Sequence, residues 1–142
     1  MTTVFRLADV VRRHARRKRT EPSRALGQDG EDIAHRHLQA SGMIVTARNF
    51  RTPGGVSAKV DLIAADGPFL VFVEVKTRQT DEFGAPDRAI DSVKRDKIRR
   101  AARHYLRRSG RDSSKVRFDT VAIVMGGGRA PNILHIRDAW SL

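Results

Sequence analysis

Two acidic residues and a lysine in the middle of the chain have the types and spacing needed for phosphate chemistry. Glu74 and Lys76 are separated by one residue, and Asp61 precedes them. Because side chains alternate along a strand, Glu74 and Lys76 would share one face of a sheet. Two carboxylates with open coordination positions suit Mg²⁺, which takes oxygen ligands and leaves room for phosphate oxygens. A lysine beside them would steady a nucleophile or a developing negative charge.

Asp61 and Glu74 belong to two predicted strands that a tight turn joins. Residues rich in valine, isoleucine and phenylalanine predict strands at 58–65 and 69–76. Between them, Asp66-Gly67 is a strong signal for a two-residue hairpin turn. The strands and the turn together predict an antiparallel hairpin that carries both carboxylates.

The register of this hairpin decides which side chains meet. With Asp66-Gly67 as the turn, Lys59 lies opposite Glu74, and Asp61 becomes a diagonal neighbour of Glu74, close enough to share an ion. Valines fill the other face of the second strand. If both faces are covered, the charged side chains are partly buried, and buried charges must be paired or bind a metal.

Glu31 offers a third carboxylate. A helix is predicted at residues 25–41, and Gly42 is a natural C-terminal stop. Glu31 lies on the inward edge of that helix, in line with Ala34 and Leu38. A helix docked on the carboxylate face of the sheet would bring Glu31 into the same cleft. We therefore predict that Glu31, Asp61 and Glu74 hold Mg²⁺ or Mn²⁺ and that Lys76 completes a catalytic set.

The remaining elements follow in a simple order. Strands are predicted at residues 44–50, 116–125 and 132–136, and a long helix at 86–108 that starts at Pro86. Asp91 would cap a second segment of this helix. The order is helix, three strands, helix, two strands. It predicts one α/β domain with a central mixed sheet flanked by helices.

Positive charge dominates the composition. The chain of 142 residues has 28 Lys and Arg against 16 Asp and Glu, a formal net charge of +12. Such a surplus favours a polyanionic partner, either nucleic acid or an anionic membrane surface. Much of it falls in residues 1–24, which we interpret as a basic N-terminal arm before a domain at residues 25–142.

The second helix carries the other concentration of basic residues. Five of them are candidates for nucleic-acid binding: Lys94, Lys97, Arg99, Arg100 and Arg103. The competing interpretation is a solvated face that keeps the protein in solution. Aromatic residues make up only 6% of the chain, which argues against a platform for stacking bases.

Several other site types are excluded or disfavoured. The chain has no cysteine, so disulfides, thiolate metal sites and cysteine nucleophiles are excluded. Its apolar runs are too short to span a bilayer, and its N-terminus lacks a signal-peptide pattern, so we expect a cytoplasmic protein without a membrane span. His35 and His37 do not present two zinc ligands on one helix face. Arg117 and Asp119 share a strand face and are predicted to form a structural pair.

These residues resemble the PD-(D/E)XK nuclease superfamily. The resemblance is closest to the YraN-like bacterial proteins, which are related in fold to archaeal Holliday-junction resolvases. Its motifs extend from about Leu26 to the C-terminus: GEDIA at 30–34, RNFR at 48–51, VDLIA at 60–64, LVFVEVKTR at 70–78, RFD at 117–119 and HIRDAW at 135–140. A bare aspartate followed by E-x-K is a weak signal, but this ordered set is a strong one.

The resemblance implies a restriction-endonuclease-like core with Glu31, Asp61, Glu74 and Lys76 in its active site. It also implies nucleic-acid binding with Mg²⁺-dependent endonuclease activity on structured or branched DNA, and it leaves a homodimer open. Two alternatives stay open beside it. The fold could serve a DNA- or RNA-binding module with impaired catalysis, or a basic protein that binds an acidic partner.

One position departs from the family pattern. Where the family usually has Gly-Glu-Ile-Asp, this chain has Ala58-Lys59-Val60-Asp61. A lysine thus replaces an expected glutamate next to a predicted metal ligand. The substitution argues against tight Mg²⁺ binding and leaves the fold prediction unchanged.

Overall fold

The computed structural model describes residues 22–54, 58–79, 92–126 and 130–142, with side chains from Gln28 onward. Most of the predicted basic arm lies outside the described residues. So do the predicted helix start at Pro86 and the cap at Asp91. Within the described part, no helix is both long enough and apolar enough to cross a bilayer.

Two helices and five strands make up the described chain. In chain order they are α1 (Pro22–Ala40), β1 (Ile44–Arg51), β2 (Lys59–Asp66), β3 (Phe69–Arg78), α2 (Ser92–Ser109), β4 (Val116–Val124) and β5 (Asn132–Trp140), with a short 3₁₀ turn (Ser113–Lys115) before β4. The predicted order is confirmed. The last strand is longer than predicted, because β4 offers it partners along nearly its whole length.

The strands form one mixed sheet in the order β1-β2-β3-β4-β5. Neighbours pair antiparallel except β3 and β4, which run parallel. Parallel neighbours need a long connection, and α2 lies within it. The three central strands are the most buried, since Val71, Phe72 and Val73 of β3 are completely covered. Both faces of the sheet are therefore occupied.

Each helix covers one face of the sheet. Ile33, Ala34 and Leu38 of α1 pack against a cluster that includes Val71 and Val73 of β3. On the other face, α2 contributes Ile98, Ala101, Ala102 and Leu106 to a cluster that includes Phe72. Burial of apolar side chains on both faces is the main force that holds the helices to the sheet. The predicted α/β fold with a helix-flanked mixed sheet is confirmed and is consistent with a restriction-endonuclease-like core.

The predicted hairpin register was wrong, because the turn lies one residue later in the chain than predicted. Asp66 pairs with Phe69, so Gly67 and Pro68 form the two-residue turn. Gly67 has φ +56°, as tight hairpin turns require of a central residue. Pro68 has no N–H to donate to the ladder, which favours its place in the turn over the predicted place in the strand.

The corrected register moves each cross-strand partner by two positions and leaves the faces unchanged. Leu62 pairs with Val73, where the ladder ends, and Asp61 and Glu74 are the next residues on the two strands. In this register Lys59 is not across from Glu74 as predicted. The side chains of Asp61 and Glu74 interact directly.

The single tryptophan closes the core beneath α2. Trp140, at the end of β5, stacks on Phe118 with ring centroids 5.4 Å apart, and Phe118 stacks in turn on Phe72. The guanidinium of Arg95 on α2 lies 5.6 Å from the centre of the Trp140 ring, within the range of a cation–π contact. These rings connect the C-terminal strand to the helix.

Candidate active site

An open cavity lies where the start of α2 passes the ends of β2 and β3. Its volume is about 360 Å³. The described residues that line it are Lys59, Asp61, Glu74, Val93, Lys94, Lys97 and Ile98. Two carboxylates and three lysines thus face one space, with an apolar wall from the helix.

Asp61 and Glu74 form the acidic floor of this cavity. Both are buried, with relative exposures of 7% and 2%. Asp61 Oδ2 accepts a hydrogen bond of 2.9 Å from the backbone N–H of Val75, which fixes its orientation where the ladder ends. Burial, together with the charge of Asp61, raises the pKa of Glu74 to about 8. The pair therefore resists carrying two negative charges unless a cation is added.

Lysine ammonium groups contact both carboxylates. Lys94 of α2 forms an ion pair with Glu74, and this contact opposes the rise in the pKa of Glu74 without cancelling it. Lys59 Nζ lies 3.1 Å from Asp61 Oδ1. Lys94 was predicted only as a nucleic-acid-binding residue, and its contact with Glu74 was not predicted, because it depends on how α2 packs against the sheet.

Glu31 joins the cluster by a route that differs from the predicted one. Its helix packs on the opposite face of the sheet from Glu74, so the expectation of a helix docked on the carboxylate face was wrong. Glu31 does not line the cavity. Its Oε1 nevertheless lies 3.6 Å from Lys59 Nζ, the ammonium that also contacts Asp61. The Glu31 and Asp61 carboxylates therefore share one cation at the end of the sheet.

A glycine next to Glu31 permits this approach. Gly30 lies so close to β3 that a Cβ atom there would overlap Thr77 Oγ1. Any larger residue at this position would push the first turns of α1 away from the sheet. The absence of a side chain at Gly30 thus keeps Glu31 near Lys59.

Two residues of β1 orient the Glu31 carboxylate. Asn49 Nδ2 donates a 3.1 Å hydrogen bond to Glu31 Oε2, and an Arg48 guanidinium nitrogen lies 3.6 Å from the same oxygen. Asn49 has φ +52°, a conformation that asparagine tolerates better than most residues. Sequence analysis assigned it to a regular strand and missed this role. An asparagine within an otherwise strand-like segment was the available signal.

Lys76 lies farther along the same strand. It is half-buried and pairs with Ala122 of β4. Strand alternation gives it the same face as Glu74, but it does not line the cavity. Its assistance to a nucleophile stays a prediction.

The basic residues of α2 fall into two groups. Lys94, Lys97, Arg100 and Arg103 are exposed, and the first two line the cavity. Arg99 is engaged within the protein, because its guanidinium donates to the backbone oxygen of Ser141 and to Asp96, each at 2.7 Å. Arg99 is therefore less available to an external ligand than Lys97, Arg100 and Arg103, and nucleic-acid binding by these residues stays a prediction.

A second charged cluster lies on the α1 side of the sheet. Asp119 is fully buried, and Arg117 donates two hydrogen bonds to its carboxylate, at 2.8 and 3.0 Å. His135 Nε2 lies 2.7 Å from Asp119 Oδ2, and His135 Nδ1 lies 3.1 Å from His37 Nε2. The predicted pairing of Arg117 with Asp119 is confirmed. This chain of contacts ties β4 and β5 to α1.

Comparison with known proteins identifies one family. The profile of the uncharacterised protein family UPF0102 matches residues 30–123. A UPF0102 protein of Rhodococcus jostii is 51% identical over 82% of this chain and 96% of its own length. A second, from Solibacter usitatus, is 44% identical over 96% of this chain and 97% of its own. The matched span includes Glu31, Asp61 and Glu74.

Proposed function

This chain belongs to the uncharacterised protein family UPF0102, and we propose that it binds nucleic acid and hydrolyses phosphodiester bonds with the help of a divalent cation. One observation carries the proposal. Two buried carboxylates, Asp61 and Glu74, form the floor of an open cavity whose other polar lining, in the part of the chain described, is lysine. Such a site can bind a metal ion and a phosphate together.

The donor set fits Mg²⁺ or Mn²⁺. These cations prefer carboxylate oxygens and retain positions for water and phosphate. Burial and the charge of Asp61 raise the pKa of Glu74 to about 8, so a cation bound between the two carboxylates would favour the ionised form of Glu74. Asp61 and Glu74 would hold the ion, while Glu31 lies outside the cavity lining and is connected to Asp61 through Lys59. A bound divalent cation would stabilise negative charge on the reacting phosphate.

Lysine side chains would bind the substrate and stabilise charge during the reaction. Lys97 and Lys94, at the rim of the cavity, would bind the phosphates of the substrate backbone. Lys76, on the same strand face as Glu74, would stabilise charge on the attacking oxygen. The resemblance to the PD-(D/E)XK nucleases, which has the same acids and lysine in the same order, supports this assignment and suggests structured or branched DNA as substrate.

A panel of linear, nicked and four-way-junction DNA, incubated with Mg²⁺ or Mn²⁺, tests the reaction. We expect metal-dependent cleavage of a branched substrate and its loss in Asp61→Asn. Lys76→Met should lower the rate without weakening binding. Cleavage that persists in Asp61→Asn would show that the activity does not depend on this site.

A second candidate is a nucleic-acid-binding module that shares the fold and lacks catalysis. The position of Lys59 favours it, because this ammonium already contacts Asp61 at 3.1 Å and Glu31 at 3.6 Å. A cation held there competes with Mg²⁺ for the same oxygens. Metal binding therefore separates the two candidates.

Lys59→Glu should tighten Mg²⁺ binding by tenfold or more. The substitution changes the charge beside the carboxylates by two units. At an effective dielectric near 20 and about 5 Å, each unit interacts with each charge on the ion by roughly 3 kcal/mol. The Lys59 side chain is 35% exposed, so solvent screening removes much of this interaction energy. About 1.4 kcal/mol suffices for a factor of ten.

Calorimetric titration of both forms with Mg²⁺ and Mn²⁺ measures this effect. Lys59→Gln is the matched control, since it removes the charge without reversing it and should give an intermediate affinity. Tight binding by the unsubstituted protein, unchanged in Lys59→Glu, would mean that the ion binds elsewhere than beside Lys59.

DNA binding should weaken steeply with salt, because lysine and arginine contacts release condensed counterions. Replacing Lys97, Arg100 and Arg103 with alanine should lower the affinity and reduce the slope of log K against log salt by about one unit for each lost phosphate contact. Fluorescence anisotropy over a salt series measures both quantities.

Arg99→Ala is the control within the same helix. Its guanidinium is engaged by Asp96 and Ser141, so we expect its salt slope to match that of the parent. A triple variant that behaves like the parent at every salt concentration would make this helix a solvated face. Binding to anionic vesicles in preference to DNA would favour a basic interaction protein instead.

A further inference from the structure

A second cavity lies beside the C-terminal half of α2. Its volume is about 240 Å³, and the described residues that line it are Phe50, Tyr105, Arg108 and Ser109. The rings of Phe50 and Tyr105 meet edge to face, with centroids 5.2 Å apart. Two aromatic rings and a guanidinium therefore meet at one opening in the surface.

We propose that this cavity is a stacking site for an unpaired base of the strand whose backbone meets Asp61 and Glu74. The inference rests on the proposed function and gives its substrate a chemical class, nucleic acid with a single-stranded segment. Bases of unpaired strands stack on phenylalanine and tyrosine rings and on arginine guanidinium planes, whereas paired bases in a duplex do not expose those faces.

The lining is prepared for such a ligand. Tyr105 also packs edge to face against buried Phe72, with centroids 5.9 Å apart, so its ring is held in place by the core. Phe50 is half-buried, and Arg108 is exposed at the last turn of α2. An aromatic wall held by the core beside an exposed guanidinium suits a base that enters the cavity while its phosphate stays in solvent.

The cavity also lies at a suitable distance from the carboxylates. Phe50 pairs with Val60, the residue between Lys59 and Asp61. Along α2, the step from Lys97 to Arg108 covers about 17 Å at ~1.5 Å per residue. A stacked strand rises ~3.4 Å per nucleotide, so about five nucleotides would connect the two cavities.

Charge favours this occupant over an apolar peptide. Along one side of α2, a discontinuous row of basic residues has Lys94 and Lys97 at the first cavity and Arg108 at the second. A polyanionic strand complements this row, while an apolar segment gains nothing from it. The 6% aromatic content argued against a stacking platform. The percentage refers to the whole chain, whereas the fold brings the aromatic rings of Phe50 and Tyr105 together.

Binding to two strands of equal length tests the inference without metal. One strand is an oligodeoxythymidine and the other is a backbone of abasic residues. We expect the unsubstituted protein to prefer the strand with bases about tenfold, since aromatic stacking contributes about 1–3 kcal/mol per base. Phe50→Leu should remove this preference and leave the affinity for the abasic strand unchanged, while Phe50→Tyr should retain it.

Two further variants separate the possible failures. Arg108→Ala, at an exposed position, should reduce the same preference without a risk to folding. Lys97→Ala should weaken binding to both strands equally. Equal affinity for the two strands, with Lys97→Ala still weakening both, would overturn this inference alone. If neither strand binds but four-way-junction DNA does, this inference falls and the proposed function stands; if none of the three binds, both fall.

Discussion

Asp119→Asn is expected to lower the free energy of unfolding by about 1–3 kcal/mol, because it leaves buried donors without an acceptor, while Arg117 keeps its ion pair with Asp66. Asp119 is fully buried. Its oxygens accept hydrogen bonds from Arg117, His135 and the backbone N–H of Asp138. Asparagine has nearly the same shape, but its amino group cannot accept from those donors.

The effect should depend on pH with a defined sign. Burial opposes ionisation of Asp119, yet the hydrogen bonds from His135 and Arg117 outweigh it and lower its pKa below the ordinary 3.8. A carboxylate with a lowered pKa stabilises the fold above its unfolded pKa, and the stabilisation is lost as the pH falls through the folded pKa. The variant should therefore lose less stability than the parent below about pH 4.

Urea unfolding at pH 7 and pH 3 measures both quantities. Asp96→Asn is the matched control, since it removes an exposed carboxylate from an ion pair with Arg99. Exposed pairs contribute about 0–1 kcal/mol. Equal losses in the two variants would show that the Asp119 network adds no more than a surface pair.

Glu74→Gln is expected to stabilise the metal-free protein at high pH by roughly 2–4 kcal/mol. Burial and the charge of Asp61 raise the pKa of Glu74 from 4.5 to about 8. Between those two pH values the folded protein binds more protons than the unfolded chain, so its stability falls as the pH rises. Glutamine stays neutral and is free of this loss. A shift of one pKa unit corresponds to about 1.4 kcal/mol. We reduce the expected total stabilisation because Lys94, which contacts Glu74, is partly exposed and screened by solvent.

Urea unfolding at pH 5, 7 and 9 in the presence of a chelator measures this profile. Lys94→Met gives a control of opposite sign. The Lys94 ammonium favours ionised Glu74, so its removal should make the stability fall more steeply with pH. Parallel profiles for the parent and Glu74→Gln would show that Glu74 ionises normally.

Much of the site followed from strand alternation alone. Asp61, Glu74 and Lys76 were assigned to one face, and a register shift by two positions does not change that assignment, because it preserves side-chain parity; of the three, Asp61 and Glu74 line the cavity. The cross-strand partners were more sensitive to the position of the turn. Pro68 moved the turn by one residue, and Lys59 lost its predicted place opposite Glu74. Faces are local properties of a strand, whereas partners depend on the turn.

Tertiary approach could not be predicted in the same way. The periodicity of α1 indicated which side of the helix is buried and did not indicate which face of the sheet it covers. Glu31 therefore reaches Lys59 around the end of the sheet. Lys94 forms an ion pair with Glu74, a contact between two elements that the sequence of either one does not indicate. Asn49 has a positive φ and so departs from the regular strand conformation. Spacing patterns describe several residues at once and could not predict this departure at a single position.

The position of Trp140 makes the protein its own spectroscopic probe. It is the one tryptophan in the chain, and it is buried between Phe118 and Arg95 of α2. Its emission should shift to longer wavelength when the helix leaves the sheet and water reaches the indole. Because α1 lies on the opposite face, a signal of that kind reports the departure of α2 and is silent about α1.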